Sequence, residues 1–153
     1  MGDDDEPSVR DVDEVRADAR KLSSQVLDVI GLRGKTTESG PGVGVCGGRD
    51  SAKYFTIGHP WSVHGVSVPE MKEAMERLKE ELPKRGWKIT KYGPNDSPAK
   101  NLTLKADYSK KKFSVQIELL EEPKGSDDPS MIHVSLGSTC FKVPDGQDVT
   151  GEY

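Results

Sequence analysis

Residues 102–119 read LTLKADYSKKKFSVQIEL, and this stretch decides the fold of the chain. Apolar and polar side chains alternate in it twice, over 102–108 and again over 113–119. Such alternation is typical of strands that bury one face and leave the other in water, as in an antiparallel sheet. The polar run between the two segments is short, so we predict that they form a hairpin. Its water-facing positions include Lys105 and Gln116.

The same period of two occurs elsewhere in the chain. Residues 132–136 alternate between apolar side chains and the polar His133 and Ser135. Weaker strand signals lie at 51–57 and around 87–89, where aromatic and β-branched side chains gather. Together these segments predict an antiparallel sheet of about five strands.

Two other segments follow the period of a helix. From Asp11 to Ile30, apolar side chains recur at steps of three and four residues. Asp11 with Glu14 is predicted to cap the start of this helix, and Gly31 its end. The second helix is predicted to begin at Ser67, where Glu70 completes a capping box, and to end by Gly86. We therefore predict a two-layer α+β sandwich in which both helices pack on one face of the sheet. The buried stripe of the first helix comprises Val12, Val15, Ala19, Leu22, Val26, Val29 and Ile30.

Length and composition fit one domain with polar margins. Of 153 residues, 33% are hydrophobic and 31% charged, and the apolar deficit lies at the ends and in the loops. We predict a single domain over 10–146, a disordered acidic linker over 1–9 and a flexible tail over 147–153. The net charge of -4 gives no basic excess for binding nucleic acid. No run of about 18 apolar residues occurs, so membrane contact is expected only through a lipid anchor that this chain does not carry.

The two cysteines, Cys46 and Cys140, are 94 positions apart and allow three interpretations. A disulfide would close a long loop and favours an oxidising compartment. Two buried thiols are what a cytosolic protein would hold. A zinc site, which would make the chain a metal-binding module, could recruit His59 and His64, although the usual close cysteine pair is missing. We expect the disulfide, which would fasten the glycine-rich connector 34–48 to the last strand, where Cys140 points inward if no bulge intervenes.

The segment 58–65 holds the strongest candidates for a binding surface. We predict a loop there, in which Trp61, flanked by His59 and His64, could stack on a ligand. A hydrolase that uses either histidine with Ser62 is the alternative function, although no nucleophile elbow frames that serine. No residue is assigned to catalysis, to a metal or to a cofactor. The predicted binding surface comprises His59, Trp61 and His64, together with Lys105, Gln116 and His133 on the wet face of the sheet.

Short segments across the chain carry a likeness to a known class of protein. They are HPWS at 59–62, MERL at 75–78, LPKRGWKI at 82–89, STCF at 138–141 and PDG at 144–146. With them the chain resembles, over roughly residues 10–146, the mature part of small secreted lipoproteins of actinobacteria such as streptomycetes. The resemblance implies either secretion or anchoring on the outer side of the cytoplasmic membrane, through a lipidated cysteine ahead of an acidic linker. We therefore expect a monomeric, non-enzymatic binding or sensing domain of the cell envelope, whose partner is a protein or a small molecule.

Overall fold

The computed structural model describes residues 6–38, 40–122 and 129–153. Among them, two α-helices and eight β-strands confirm the predicted α+β class. Short 3-10 turns follow the second helix at Leu82–Arg85 and end the chain at Thr150–Glu152. No helix in this part of the chain is long and apolar enough to cross a membrane. The elements, in chain order, are α1 (Val12–Ile30), β1 (Lys35–Glu38), β2 (Gly42–Gly44), β3 (Tyr54–His64), α2 (Val68–Glu81), β4 (Lys88–Pro94), β5 (Leu102–Tyr108), β6 (Phe113–Leu120), β7 (Met131–Ser138) and β8 (Phe141–Lys142).

The sheet contains one long strand, β3, with neighbours on both edges. The strands lie in the order β1-β3-β7-β6-β5-β4, and every neighbouring pair is antiparallel. β2 and β8 also pair with β3. The prediction of about five strands missed β1, β2 and β8, because strands this short show no alternating pattern in the sequence.

The capping signals of both helices act as the sequence predicts. Asp11 accepts two backbone N–H bonds at the start of α1. Gly31 ends that helix with a φ of 64°, which residues other than glycine rarely adopt. Ser67 and Glu70 form the predicted reciprocal capping box at the start of α2. Local sequence therefore fixes where each helix begins.

The two helices lie side by side over the sheet. α1 packs against β3, α2 packs against β6, and the helices contact each other. Arg77 of α2 donates to the backbone carbonyls of Val29 and Ile30 at the end of α1. The last turn of α1 contains no basic residue, so this guanidinium supplies the charge that favours a helix C-terminus. The largest fully buried side chains are Phe55, Phe113, Phe141, Ile30, Ile57, Met71, Met75, Leu78, Leu82, Leu104, Ile117 and Ile132.

The predicted alternation is confirmed in β6 and β7 and fails at one position of β5. Apolar side chains of β6 face the helices, and Gln116 between them is exposed. Thr103 of β5 was expected on the wet face but is 1% exposed. Its partner across the ladder is Glu118, to which Asn95 and Asn101 both donate hydrogen bonds. The loop between β4 and β5 therefore lies over this end of the wet face and buries Thr103.

Cys46 and Cys140 form the predicted disulfide, with their Cα atoms 5.9 Å apart. Because Gly58 has a partner in both β2 and β7, those strands lie on opposite edges of β3, and the bond joins segments from the two sides. Cys140 does not take the inward position that a strand without a bulge would give it. The three residues 138–140 lie opposite two residues of β3, and this bulge ends the alternation. Cys140 is consequently half-buried, and Phe141 enters the core instead.

Residues on either side of the predicted domain, 10–146, also make contacts with it. At the end of the predicted linker, Val9 lies beside Lys142 of β8. The N–H of Lys142 donates to the carbonyl of Ser8, and the N–H of Arg10 donates to the carbonyl of Lys142. In the predicted tail, 147–153, Val149 is 1% exposed and its N–H bonds to the backbone ahead of β3. The remaining linker residues, 1–5, lie outside the described residues.

Removing the disulfide should destabilise the fold without abolishing it. Replacing both cysteines by serine frees a loop of 94 positions in the unfolded chain. We expect the free energy of unfolding to fall by about 4–5 kcal/mol, on the chain-entropy description. Urea denaturation measures this fall. Wild-type protein reduced with dithiothreitol is the matched control, and oxidised and reduced proteins of equal stability would contradict the expectation.

The capping box should give α2 a measurable pH dependence. Hydrogen bonds from the side chain and backbone of Ser67 lower the pKa of the Glu70 carboxyl below its ordinary value. A carboxyl whose pKa is lower in the folded state stabilises the fold above its ordinary pKa, and this stabilisation disappears as the pH falls through the lowered value. Glu70→Gln should therefore lower the urea midpoint at neutral pH and leave it unchanged below both pKa values. Glu73→Gln, at an exposed position of α2, is the control. If Glu70→Gln lowered the urea midpoint equally at both pH values, the stabilisation would not come from the charge of the Glu70 carboxylate.

Candidate functional site

The segment 58–65, predicted to be a loop, lies almost entirely within β3, which runs over Tyr54–His64. Pro60 favoured the loop because proline cannot donate a ladder hydrogen bond. In the structure, β1 pairs with residues 61–64 of β3 and β2 pairs with residues 56–58. Pro60 falls in the gap between them, where β3 has a neighbour on one side only, and proline is tolerated at such positions.

Strand alternation separates the candidate residues that the sequence grouped together. His59 and Trp61 point toward the helices and are each 5% exposed, whereas Ser62 and His64 lie on the opposite face. The hydroxyl oxygen of Ser62 is 2.6 Å from that of Thr37 in β1. Of the two predicted pairings, that of His59 with Ser62 is therefore not formed, whereas His64 and Ser62 lie on the same face of β3.

The cysteines and histidines proposed as zinc ligands do not form a common site. Both cysteine sulfurs are bonded to each other, so neither is a thiolate. His59 and His64 lie on opposite faces of β3. Among residues 6–38, 40–122 and 129–153, no three His, Cys, Asp or Glu side chains come together as a metal site.

The other predicted surface residues share the face of the sheet that points away from the helices. Lys105 and Gln116 are exposed and lie directly opposite each other in β5 and β6. His133 of β7 is half-buried and lies on the same face, opposite Glu118. The structure thus places Lys105, Gln116 and His133 together, but on the other side of the sheet from His59 and Trp61. The predicted surface is two separate surfaces.

His59 and Trp61 instead meet a residue that the sequence analysis did not single out, Ser23 of α1. The indole N–H of Trp61 donates to Ser23 Oγ at 3.1 Å, and the same oxygen is 2.7 Å from His59 Nδ1. An indole nitrogen can only donate, so the serine oxygen accepts from it and has its own hydrogen to give. The hydroxyl then either donates to Nδ1 or accepts a second hydrogen bond from it, depending on the tautomer of His59. Ser23 therefore couples α1 to β3 through two side-chain hydrogen bonds.

These three side chains form the floor of a cavity of ≈ 190 Å³ between α1 and the sheet. Ser23, His59 and Trp61 are all buried. The rim is more exposed and includes the guanidinium of Arg20. The cavity is smaller than those that hold drug-sized molecules, so it suits a small ligand. The remaining rim residues are Ser24, Leu27 and Thr36.

The sequence contained a signal for Ser23, but it was not used. Ala19, Ser23, Val26 and Ile30 follow one another at steps of four, three and four, and all four are buried. A serine within an otherwise apolar helical stripe must find a hydrogen-bond partner when it is buried. That position therefore indicated a polar contact beneath α1, although nothing in the sequence identified its partners on β3.

Known proteins offer no match for this chain. No protein-family model matches it, and neither a curated protein nor a solved structure matches it. The described residues that line the cavity therefore indicate which chemical groups a ligand would meet there. They contribute three hydroxyl groups, one guanidinium, one imidazole and the apolar surfaces of Leu27 and Trp61.

Ser23→Ala should destabilise the protein by more than its small change in volume suggests. The substitution removes the hydroxyl that bonds to both His59 and Trp61 in a buried position. We expect the free energy of unfolding to fall by about 1–3 kcal/mol, as for other buried polar groups that lose a partner. Urea denaturation measures the loss, and the indole N–H signal of Trp61 should move in the NMR spectrum. Ser24→Ala, at the exposed neighbouring position, should stay within about 0.5 kcal/mol of wild type. Equal losses in the two variants would contradict the buried network.

Proposed function

We propose that this chain is a non-enzymatic binding or sensing domain that works outside the cytoplasm, and that its ligand is a small molecule held in the cavity beside α1. The observation that carries the proposal is the cavity floor, where Ser23, His59 and Trp61 share hydrogen bonds below an open rim. Small-molecule sites generally combine a concave apolar wall with a few placed polar groups. This cavity combines the same features.

The floor is held on regular elements, which suits a binding site. Ser23 lies in the middle of α1, and His59 and Trp61 lie within β3. Each side chain is tied to another element by a hydrogen bond, so few rotamers remain to be ordered when a ligand enters. Such preorganisation lowers the entropic cost of binding.

The disulfide indicates an oxidising environment, because paired cysteines persist outside the reducing cytosol. We infer from it that the domain is displayed on the outer side of the cytoplasmic membrane or secreted. A lipid anchor, of the kind carried by the actinobacterial lipoproteins that the chain resembles, would supply the attachment. The ligand would then be a molecule of the cell envelope or of the surrounding medium.

A hydrolase is the alternative, with Ser23 rather than the predicted Ser62 beside His59, and the contact of Ser23 with His59 is the observation that favours it. The distance of 2.7 Å between hydroxyl and imidazole is within the reach that a nucleophile and its base require. Against this assignment, Ser23 Oγ also accepts the indole N–H of Trp61, which occupies a lone pair that a nucleophile would use. Mass spectrometry after treatment with a fluorophosphonate separates the two, since labelling of Ser23 would favour the hydrolase.

A library of small organic fragments tests whether the cavity binds ligands. The chain has two tryptophans, and Trp61 lies in the cavity while Trp87 is not among its lining residues. We expect some fragments to shift the indole N–H signal of Trp61 saturably in NMR titrations and to leave that of Trp87 in place. The physical reason is that the cavity reaches the indole of Trp61 alone. A library with no such fragment would overturn the proposal.

A rim variant provides the matched control. Ser24→Phe places a ring at the exposed rim of the cavity and should abolish the fragment shifts at Trp61. Lys21→Phe adds the same ring at an exposed position of α1 that does not line the cavity, and it should leave the shifts unchanged. Shifts that survive in both variants would show that the fragments bind elsewhere.

A further inference from the structure

The rim of the cavity carries a cation without a partner. α1 contains two arginines, Arg16 and Arg20, and Arg16 pairs with Glu152 at 2.7 Å. Just before the helix, Arg10 pairs with Asp18 at 3.0 Å. Arg20 forms no ion pair or hydrogen bond with any residue in the described part of the chain. Its side chain is exposed and lines the cavity. Of the arginines on this helix, the one at the cavity has its charge unmatched.

The hydroxyl groups around the cavity complement this cation. Thr36 of β1 and Ser24 of α1 lie on the rim, and both can donate a hydrogen bond to an oxygen anion. A guanidinium presents its N–H groups in a planar fork that matches the two oxygens of a carboxylate. Arg20 with these two hydroxyls is therefore suited to a planar, singly charged oxygen acid.

Two of the lining residues are apolar. Leu27 of α1 and the indole of Trp61 both contribute to the wall, and Trp61 is 5% exposed. The volume of ≈ 190 Å³ leaves room for one small ring or a short branched chain beside them. An indole face favours a flat, apolar neighbour through stacking. A ligand that satisfies both halves of the cavity would be amphipathic, with a charged head at the rim and an apolar body inside.

We propose that the cavity binds a small organic carboxylate, whose carboxyl group pairs with Arg20 while its apolar body lies against Leu27 and Trp61. This assignment rests on the proposed function and narrows its ligand class. Specificity for the carboxylate arises because a neutral ligand of the same shape, such as an amide, offers the guanidinium only an uncharged acceptor. The paired oxygens would gain charge-assisted hydrogen bonds, which are about twice as strong as neutral ones.

Benzoate and benzamide test the assignment, because they have nearly the same shape and differ in charge. Each is titrated into the oxidised chain of residues 1–153, with the Trp61 indole N–H signal as the reporter and that of Trp87 as the internal reference. Benzoate should bind saturably and at least about tenfold more tightly than benzamide. Arg20→Gln should remove this preference, so that the two probes bind with similar affinity. Arg33→Gln, at an exposed arginine that does not line the cavity, should keep it.

The outcomes distinguish this inference from the proposed function. Equal binding of the two probes, with no effect of Arg20→Gln, would overturn the carboxylate assignment while a ligand cavity still stands. The same follows if benzoate fails to shift Trp61 although neutral members of the fragment library do. If no compound shifts Trp61, both proposals fall together. Loss of the preference in Arg33→Gln as well would show that overall charge, rather than Arg20, attracts the anion.

Discussion

β3 depends on neighbours along both of its edges, and the disulfide fixes the two sides to each other. On one edge lie β1 and β2, with four and three residues, and ladders this short are marginal by themselves. Cys46 follows β2, and Cys140 lies in the bulge between β7 and β8 on the other edge. The disulfide thus ties the side of β3 that pairs with the short strands β1 and β2 to the side that pairs with β7 and β8. Since Thr36 of β1 forms part of the cavity rim, the bond stabilises the site as well as the fold.

The elements that could be predicted are those in which the spacing of apolar residues along the sequence matches the positions that are buried. α1, α2, β5, β6 and β7 each place apolar side chains toward one common core, and their periods of 3.6 and two are visible in the sequence. Capping added the helix starts at Asp11 and Ser67, because those signals act within four residues. The pairing of Cys46 with Cys140 was also predicted, from the advantage of fastening a glycine-rich connector.

The elements and contacts that could not be predicted depend on residues far apart in the chain. The course of β3 through Pro60 is possible only because β1 and β2 leave a gap beside it. The bulge at 138–140 reverses the face on which later residues lie, and no local sequence feature announces it. The floor of the cavity joins Ser23 to residues 36 and 38 positions away. Such contacts follow from tertiary packing, which local patterns do not encode.

The polar floor beneath α1 is hard to explain by stability alone. Within the described chain, the buried polar side chains are Ser23, His59, Ser62 and Thr103, and the first two meet beneath α1. A well-packed apolar pair in their place would be about as stable, because hydrogen bonds formed on folding replace bonds to water. A polar floor does serve a cavity that opens to water or to a ligand, since it holds fixed hydrogen-bonding groups where an apolar floor would hold none. The geometry of Ser23, His59 and Trp61 is therefore what the proposed recognition of a ligand requires.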